Sequence, residues 1–208
     1  MYIRHIVVGE IQTNCYIAGD DAAGSCIVVD PGDEADKIIG TARRDGREIA
    51  AILLTHGHFD HIGAVGVIRD KCGAKVYACA HEKELLASPS LNLSSGFPRS
   101  MSENADIYVQ DGDMVNEAGL SLRVIETPGH TSGGVCYYSE TDKVLFSGDT
   151  LFEASIGRTD FPTGSAGILI TSIREKLYVL PDDVSVYPGH GPYTSIGFEK
   201  MNNMYVQV

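Results

Sequence analysis

No apolar run in this chain approaches the ~20 residues that a helix needs to cross a bilayer. Nor does the start resemble a secretory leader, because Met1-Tyr2-Ile3-Arg4-His5 leads straight into a strand-like stretch. With both signals missing, the cytoplasm is the expected compartment. Cysteine is sparse and lacks pattern. Cys15, Cys26, Cys72, Cys79 and Cys136 are odd in number, form no Cys-x-x-Cys pair, and sit in apolar or Gly/Ala-rich stretches. Buried reduced thiols follow from that, not a disulfide framework. Basic residues are scarce as well, 16 Lys and Arg against 28 Asp and Glu, for a formal net charge of −12. A field of that sign repels phosphate, so nucleic acid and anionic membrane surfaces are poor partners.

What is present suits one soluble domain spanning 1–208, with 43% apolar and 21% charged residues. The runs Tyr2–Val8, Thr13–Ala18 and Cys26–Val29 are β-rich, and Gly19-Asp20-Asp21 supplies turn chemistry. Asp33 is placed to cap a helix through Ile38, Ile39 and Ala42 that stops near Gly46. Ile49–Thr55 is continuously apolar until its last residue, the mark of a strand covered on both faces. A helix over Ile62–Cys72, a strand at Lys75–Ala80 and a short helix at His81–Ala87 follow. Ser88–Asn104 reads as a loop. Later strands are expected at Leu120–Glu126, Gly134–Ser139, Lys143–Ser147 and Val184–Tyr187, with helices at Ala166–Leu180 and Ile196–Tyr205.

The second half contains an echo. Val124–His130 and Val184–His190 each read as a strand that ends in Pro-Gly and then presents a histidine. Two similar halves packed sheet to sheet, with helices outside, would align such strand ends along one rim. The expected fold is therefore α/β, a four-layer αββα sandwich.

The strongest local signal is His56-Gly57-His58-Phe59-Asp60-His61. Histidines two apart lie ~200° apart around a helix, but in an extended segment they point the same way and can grip one ion. Asp60 and His61 come where a helix begins, so their side chains diverge toward a second position. Imidazole and carboxylate suit zinc, iron or manganese. Further candidates follow strand ends: His130 and His190 after Pro-Gly, and Asp149 after Ser147-Gly148. Together they make seven candidate ligands, enough for two ions if Asp149 bridges them and one position stays open to water. Of the seven histidines, only His5 and His81 fall outside this set, in expected surface or capping roles.

Taken in order, these segments, with Thr127-Pro128-Gly129-His130, Ser147-Gly148-Asp149-Thr150 and Tyr187-Pro188-Gly189-His190, resemble the metal motifs of the metallo-β-lactamase superfamily. Asp30-Pro31-Gly32 is similar to its early aspartate motif. Gly148–Asp160 resembles the hydroxyacylglutathione hydrolases, or glyoxalase II, and their short bacterial relatives. The resemblance implies one divalent metal ion on His56, His58 and His130, a second on Asp60, His61 and His190, and Asp149 between them. Zinc is the first expectation, with iron or manganese as alternatives. It also implies a bridging water or hydroxide as nucleophile, with Asp60 and Asp149 as catalytic carboxylates, and a small-molecule thioester as substrate. Arg158 matches a basic residue that meets the carrier's carboxylate, while a tyrosine expected two places later is Asp160. Tyr193 is a candidate to replace lost carrier contacts. Eighteen residues follow His190, where the typical glyoxalase II continues into a glutathione-binding helical domain.

The expectation is a dinuclear hydrolase of 2-hydroxyacyl thioesters. Two rivals use the same fold. One is a mononuclear iron dioxygenase acting on persulfides, with two histidines and Asp149 as its triad. The other is a metal-dependent binding protein without catalysis, whose mark would be loss of a ligand.

Overall fold

Residues 1–207 are described by a computed structural model. β1 (Tyr2–Val8) buries Ile6 and Val8 while Arg4 and Val7 face water, the alternation of an edge strand. β2 (Thr13–Gly19) and β3 (Ser25–Val29) pair antiparallel beside it. From β3 onward the sheet is parallel, through β4 (Glu48–Leu53), β5 (Lys75–Cys79) and β6 (Ile107–Val109). Parallel neighbours need crossovers. α1 (Ala35–Arg44) provides the first, and α2 (Phe59–Ile62) with α3 (Val65–Cys72) the second. After β5 a single helical turn, Ala80–Glu82, leads into α4 (Lys83–Ala87).

The second six-stranded sheet begins with β7 (Met114–Glu117), β8 (Leu120–Glu126), β9 (Val135–Ser139) and β10 (Val144–Gly148). A small hairpin, β11 (Leu151–Phe152) and β12 (Ser155–Ile156), stands apart from it. α5 (Ala166–Ser172) runs into a wider π-type turn at Ile173–Leu177 and carries the chain to β13 (Ser185–Pro188), which pairs parallel with β10. β14 (Thr194–Ser195) and α6 (Ile196–Asn202) end the fold.

Three apolar layers fix four structural ones. On the outer face of the first sheet, Ile17, Val28 and Ile52 meet Ile38 and Ile39 of α1 and Val65 and Ile68 of α3. Between the sheets, Tyr16, Ile27 and Leu53 meet Val124, Tyr137 and Phe146. Outside the second sheet, Cys136 and Leu145 meet Leu169, Ile173 and Ile196. Neighbours such as Tyr16 and Ile17 enter opposite layers, as a period of two requires. This is the expected αββα sandwich.

Several boundaries differ from the sequence reading, each for a local reason. The α1 cap is Glu34 and not Asp33: Glu34 is left-handed (φ 54°), and the Asp33 carboxylate is spent accepting the Glu34 N–H at 2.6 Å. The single helix expected over Ile62–Cys72 starts earlier and is split, because the Ala64 N–H leaves the helical ladder to bond Pro31 O at 2.9 Å. The helix expected over Ala166–Leu180 gives way to the π-type turn after Ser172. The last helix stops at Asn202, where the Asn203 side chain accepts from the N–H groups of Tyr205 and Val206. β6, β7, β11, β12 and β14 are additions. Four cysteines are buried and free, while Cys72 is partly exposed. No helix among the described residues is long and apolar enough to cross a membrane.

Candidate metal centre

The sandwich brings strand ends from both sheets to one rim. β4 stops at Leu53 and releases the loop with His56 and His58. The first turn of α2 carries Asp60 and His61. His130 follows β8, Asp149 follows β10, and His190 follows β13. β10 and β13 run parallel and, past a bulge between Phe146 and Gly148, their ends emerge together, with Gly189 N donating to Gly148 O at 2.8 Å. All seven sequence candidates converge here.

They form two sets with a carboxylate between. Ligand atoms of His56, His58 and His130 lie within 4.8 Å of one another, as do those of Asp60, His61 and His190. His58 Nδ1 and His130 Nε2 are 2.9 Å apart. Asp149 Oδ2 stands 3.6 Å from His130 Nε2 and 3.7 Å from His190 Nε2, so one carboxylate faces a histidine of each set. Its Oδ1 is 3.5 Å from His61 Nε2. Asp60 Oδ2 lies 3.2 Å from His190 Nε2 and accepts the Thr13 hydroxyl at 3.1 Å.

The residues present fit a metal. His56 Nε2, His58 Nε2, His61 Nε2 and Asp149 Oδ1 are buried with no hydrogen-bond partner. Each such atom costs about 1–3 kcal/mol if left unsatisfied, and their clustering within the two ligand sets fits groups that accept a cation. On three of the rings the other nitrogen meets a polar group, as ligands require. His130 Nδ1 donates to Arg158 O at 2.6 Å, leaving Nε2 with a bare lone pair. His56 Nδ1 lies 3.2 Å from the Thr55 hydroxyl, and His61 Nδ1 lies 3.0 Å from Asp30 Oδ2. Asp30 is fixed in turn by the Thr55 N–H at 2.8 Å and its hydroxyl at 2.6 Å.

Proton affinities separate the sets. Burial, reinforced by neighbouring histidines, holds His56 well below the ordinary imidazole range and His58 down to about 3. Burial also opposes charge on His61, but Asp60, Asp149 and Asp30 outweigh it and push the group up to about 10. Asp60 shows the reverse balance: burial raises it, and His61 and His190 hold it well below the usual carboxylate range. His56 and His58 are thus held as neutral donors, whereas His61 holds a proton that a cation must displace.

Above the seven residues opens a cavity of about 450 Å³. Its walls are apolar, from Ile11, Phe59, Leu93, Phe97, Phe152 and Phe161. Arg158 reaches the same cavity, with its guanidinium over the Phe161 ring at 4.1 Å and paired to both Asp160 oxygens at 2.9 and 2.7 Å. Tyr193 is not brought here. Gly191 turns left-handed (φ 73°), and the Tyr193 ring packs on Tyr187 at 4.8 Å and His5 at 5.3 Å. His81 is exposed, whereas His5 is half-buried with Nε2 2.7 Å from Asn14 Oδ1.

Sequence reasoning missed several residues that shape the site. Thr13, Thr55 and the aromatic walls carry no motif, and Asp30 is legible only as part of a resembling turn. Glu82 is fully buried between the two histidine loops, yet in sequence nothing separates it from the exposed Glu84.

Comparison with known proteins agrees with this geometry. The family model described as "Metallo-beta-lactamase superfamily" matches residues 8–190. "Probable metallo-hydrolase YqgX" of Bacillus subtilis is 41% identical over 207 residues, covering 98% of this chain and 96% of the relative. "Hydroxyacylglutathione hydrolase GloC" of Haemophilus influenzae is 37% identical over 215 residues, covering 99% and 98%. Among solved structures, BLEG-1 B3 metallo-beta-lactamase superposes with a TM-score of 0.94 at 39% identity, over 100% of both chains. TTHA1623 in a di-iron-bound form gives 0.88 at 31%, over 98% of this chain and 100% of the other.

Proposed function

The chain belongs to the metallo-beta-lactamase superfamily, and from that premise we propose that it is a metal-dependent hydrolase that cleaves 2-hydroxyacyl thioesters. The observation that carries the reading is Asp149, whose one carboxylate faces His130 of the first set and His190 of the second. His56, His58 and His130 would hold one divalent ion, Asp60, His61 and His190 another, and Asp149 would touch both. Zinc is the first choice for such donors, and the di-iron form of TTHA1623 supports iron as the alternative. Bound there, divalent ions supply hydroxide at neutral pH, by lowering the pKa of water from ~15.7 toward 7, and polarise the thioester carbonyl.

The chain's own residues do the remaining work. The aromatic walls exclude bulk water from the reacting carbonyl, which strengthens every charge interaction at the cavity floor. Asp60 keeps one oxygen on Thr13 and His190, leaving the second to orient the nucleophile. A thiolate leaves readily, so no strong general acid is needed. Arg158 would exchange Asp160 for a carboxylate on the thiol carrier. The name of the Haemophilus relative supports a glutathione-type carrier.

Metal analysis of protein purified without added metal, followed by a thioester panel, tests the reading. Close to two transition-metal ions per chain and turnover of lactoyl-glutathione or a related conjugate are expected. A reproducible ceiling of one ion, even after reconstitution, would sink the dinuclear mechanism. Two further arms identify rivals: oxygen consumption with a persulfide marks the dioxygenase, and opening of a β-lactam marks an activity like that named for BLEG-1.

A further inference from the structure

Glu82 belongs to none of the motifs, yet its side chain bonds the backbone of two of the metal loops. It is 1% exposed at the end of the turn Ala80–Glu82. Its Oε2 accepts the Gly57 N–H at 2.7 Å and its Oε1 accepts the Gly133 N–H at 2.9 Å. Gly57 stands between His56 and His58, and Gly133 closes the loop that begins at His130. We infer that Glu82 is the positioning residue of the His56–His58–His130 cage, a carboxylate strut that sets the distance between the two loops carrying those three ligands.

Three further observations support the strut. First, the loops are pressed onto the segment that carries it: a Cβ on Gly133 would fall 2.7 Å from Glu82 N, and one on Gly57 would fall 2.8 Å from Leu85 Cδ2. Second, a single side chain accepts from both loops, one oxygen to each, so the two loops are tied through one rigid carboxyl group. Burial pushes the Glu82 carboxyl up, and the bonds from the Gly57 and Gly133 N–H groups oppose that shift. Third, the other ligand set is held by different groups, His61 by Asp30 and Asp60 by Thr13. Metal sites tolerate ligand displacements of only about 0.2 Å, so releasing one loop should be felt at the first site and not at the second.

The inference rests on the metal reading above and not on the thioester. Glu82→Gln tests it, because the amide still accepts one loop N–H but turns its own N–H groups on the other. Each site is isolated first. His190→Ala leaves the first site intact, and His58→Ala leaves the second. Zinc affinity is then measured by competition with a chelating dye, alongside a thermal melt of each metal-free protein. In the His190→Ala background, Glu82→Gln should weaken zinc by about 10–100-fold, as loss of an outer partner of a metal ligand does. In the His58→Ala background the change should stay within about twofold, since Glu82 touches no second-site loop. Equal weakening in both backgrounds with a lower metal-free melting temperature would make Glu82 merely structural and overturn the proposal. No weakening in either would overturn it too. Wild-type protein that binds no zinc would sink the metal centre itself.

Discussion

The two glycines that flank His190 give the sharpest test of the bridging carboxylate, because they separate backbone strain from site geometry. A Cβ on Gly189 would lie 2.2 Å from Asp149 Oδ1 and 2.8 Å from His61 Cε1. Ordinary contact begins near 3.4 Å, so the carboxylate must retreat by about 1.2 Å. That is several times the ~0.2 Å tolerance of a metal site. Gly189→Ala should therefore lose metal and nearly all turnover without removing any ligand. Overpacking of this kind costs ~1–3 kcal/mol, or about 2–12 °C in melting temperature for a chain of this size. Gly191 is the control. Its φ is +73°, but nothing lies within 4 Å of its missing Cβ. Gly191→Ala should cost ~1–2 kcal/mol of stability through left-handed strain, yet keep its metal and its turnover. Metal content, melting curves and thioester kinetics of both variants decide the matter. If Gly189→Ala binds metal normally and turns over at the wild-type rate, the role of Asp149 as the shared ligand is wrong.

Other outcomes follow from the same geometry. Asp149→Ala should lose metal at both sites, while His81→Ala, on an exposed side chain, should lose it at neither; elemental analysis of the two reads this directly. Arg158→Ala should raise KM severalfold for a thioester whose carrier bears a carboxylate, with kcat little changed. Asp160→Ala, by freeing the guanidinium, should lower that KM, and a neutral alkyl thioester should respond to neither. Burial lowers the proton affinity of His61, but Asp60, Asp149 and Asp30 together push its pKa up to about 10, so an ion entering the second site must displace a proton. Metal affinity should rise with pH through neutrality, and calorimetry in buffers of different ionisation enthalpy should count at least one proton released; none released would refute the assignment. The stability sign is opposite. Because the folded pKa lies above the unfolded value of 6.5, His61 stabilises the metal-free protein fully below 6.5, and that contribution is lost as pH rises through about 10.

What was legible in the sequence depended on distance along the chain. His56–His61 packs four candidate ligands into six residues, so the cluster declares itself before any folding. The Pro-Gly-His echo was legible because β8 and β13 both end near the rim, where the chain then presents a histidine, although Gly129 takes a positive φ (134°) and Gly189 does not. The two- and three-residue strands β6, β11, β12 and β14 have no periodicity to read. β6 exists because the edge of β5 offers it a ladder from Tyr77 to Cys79. The break between α2 and α3 depends on Pro31 O, more than thirty residues upstream of Ala64. Arg158 was visible as a charge, but its backbone carbonyl, which orients His130, has no sequence signature.

The remaining question is why one rim collects every ligand. The two sheets are stitched together there by hydrogen bonds from residues just beside the site. Val135 N donates to Thr55 O at 2.8 Å, Asn14 N to Gly189 O at 2.7 Å, Tyr137 Oη to Leu54 O at 2.9 Å, and Tyr16 Oη to Pro188 O at 2.7 Å. Each bond joins one sheet to a ligand-bearing loop of the other, or to the strand end that leads into it. Ligand spacing is thus inherited from the packing of Tyr16, Leu53, Tyr137 and Phe146 between the sheets, a close-packed core that does not deform continuously. Loops alone would leave four unsatisfied polar atoms free to find water or each other. Anchored to two sheets, they hold those atoms buried and facing one another, an arrangement suited to a cation.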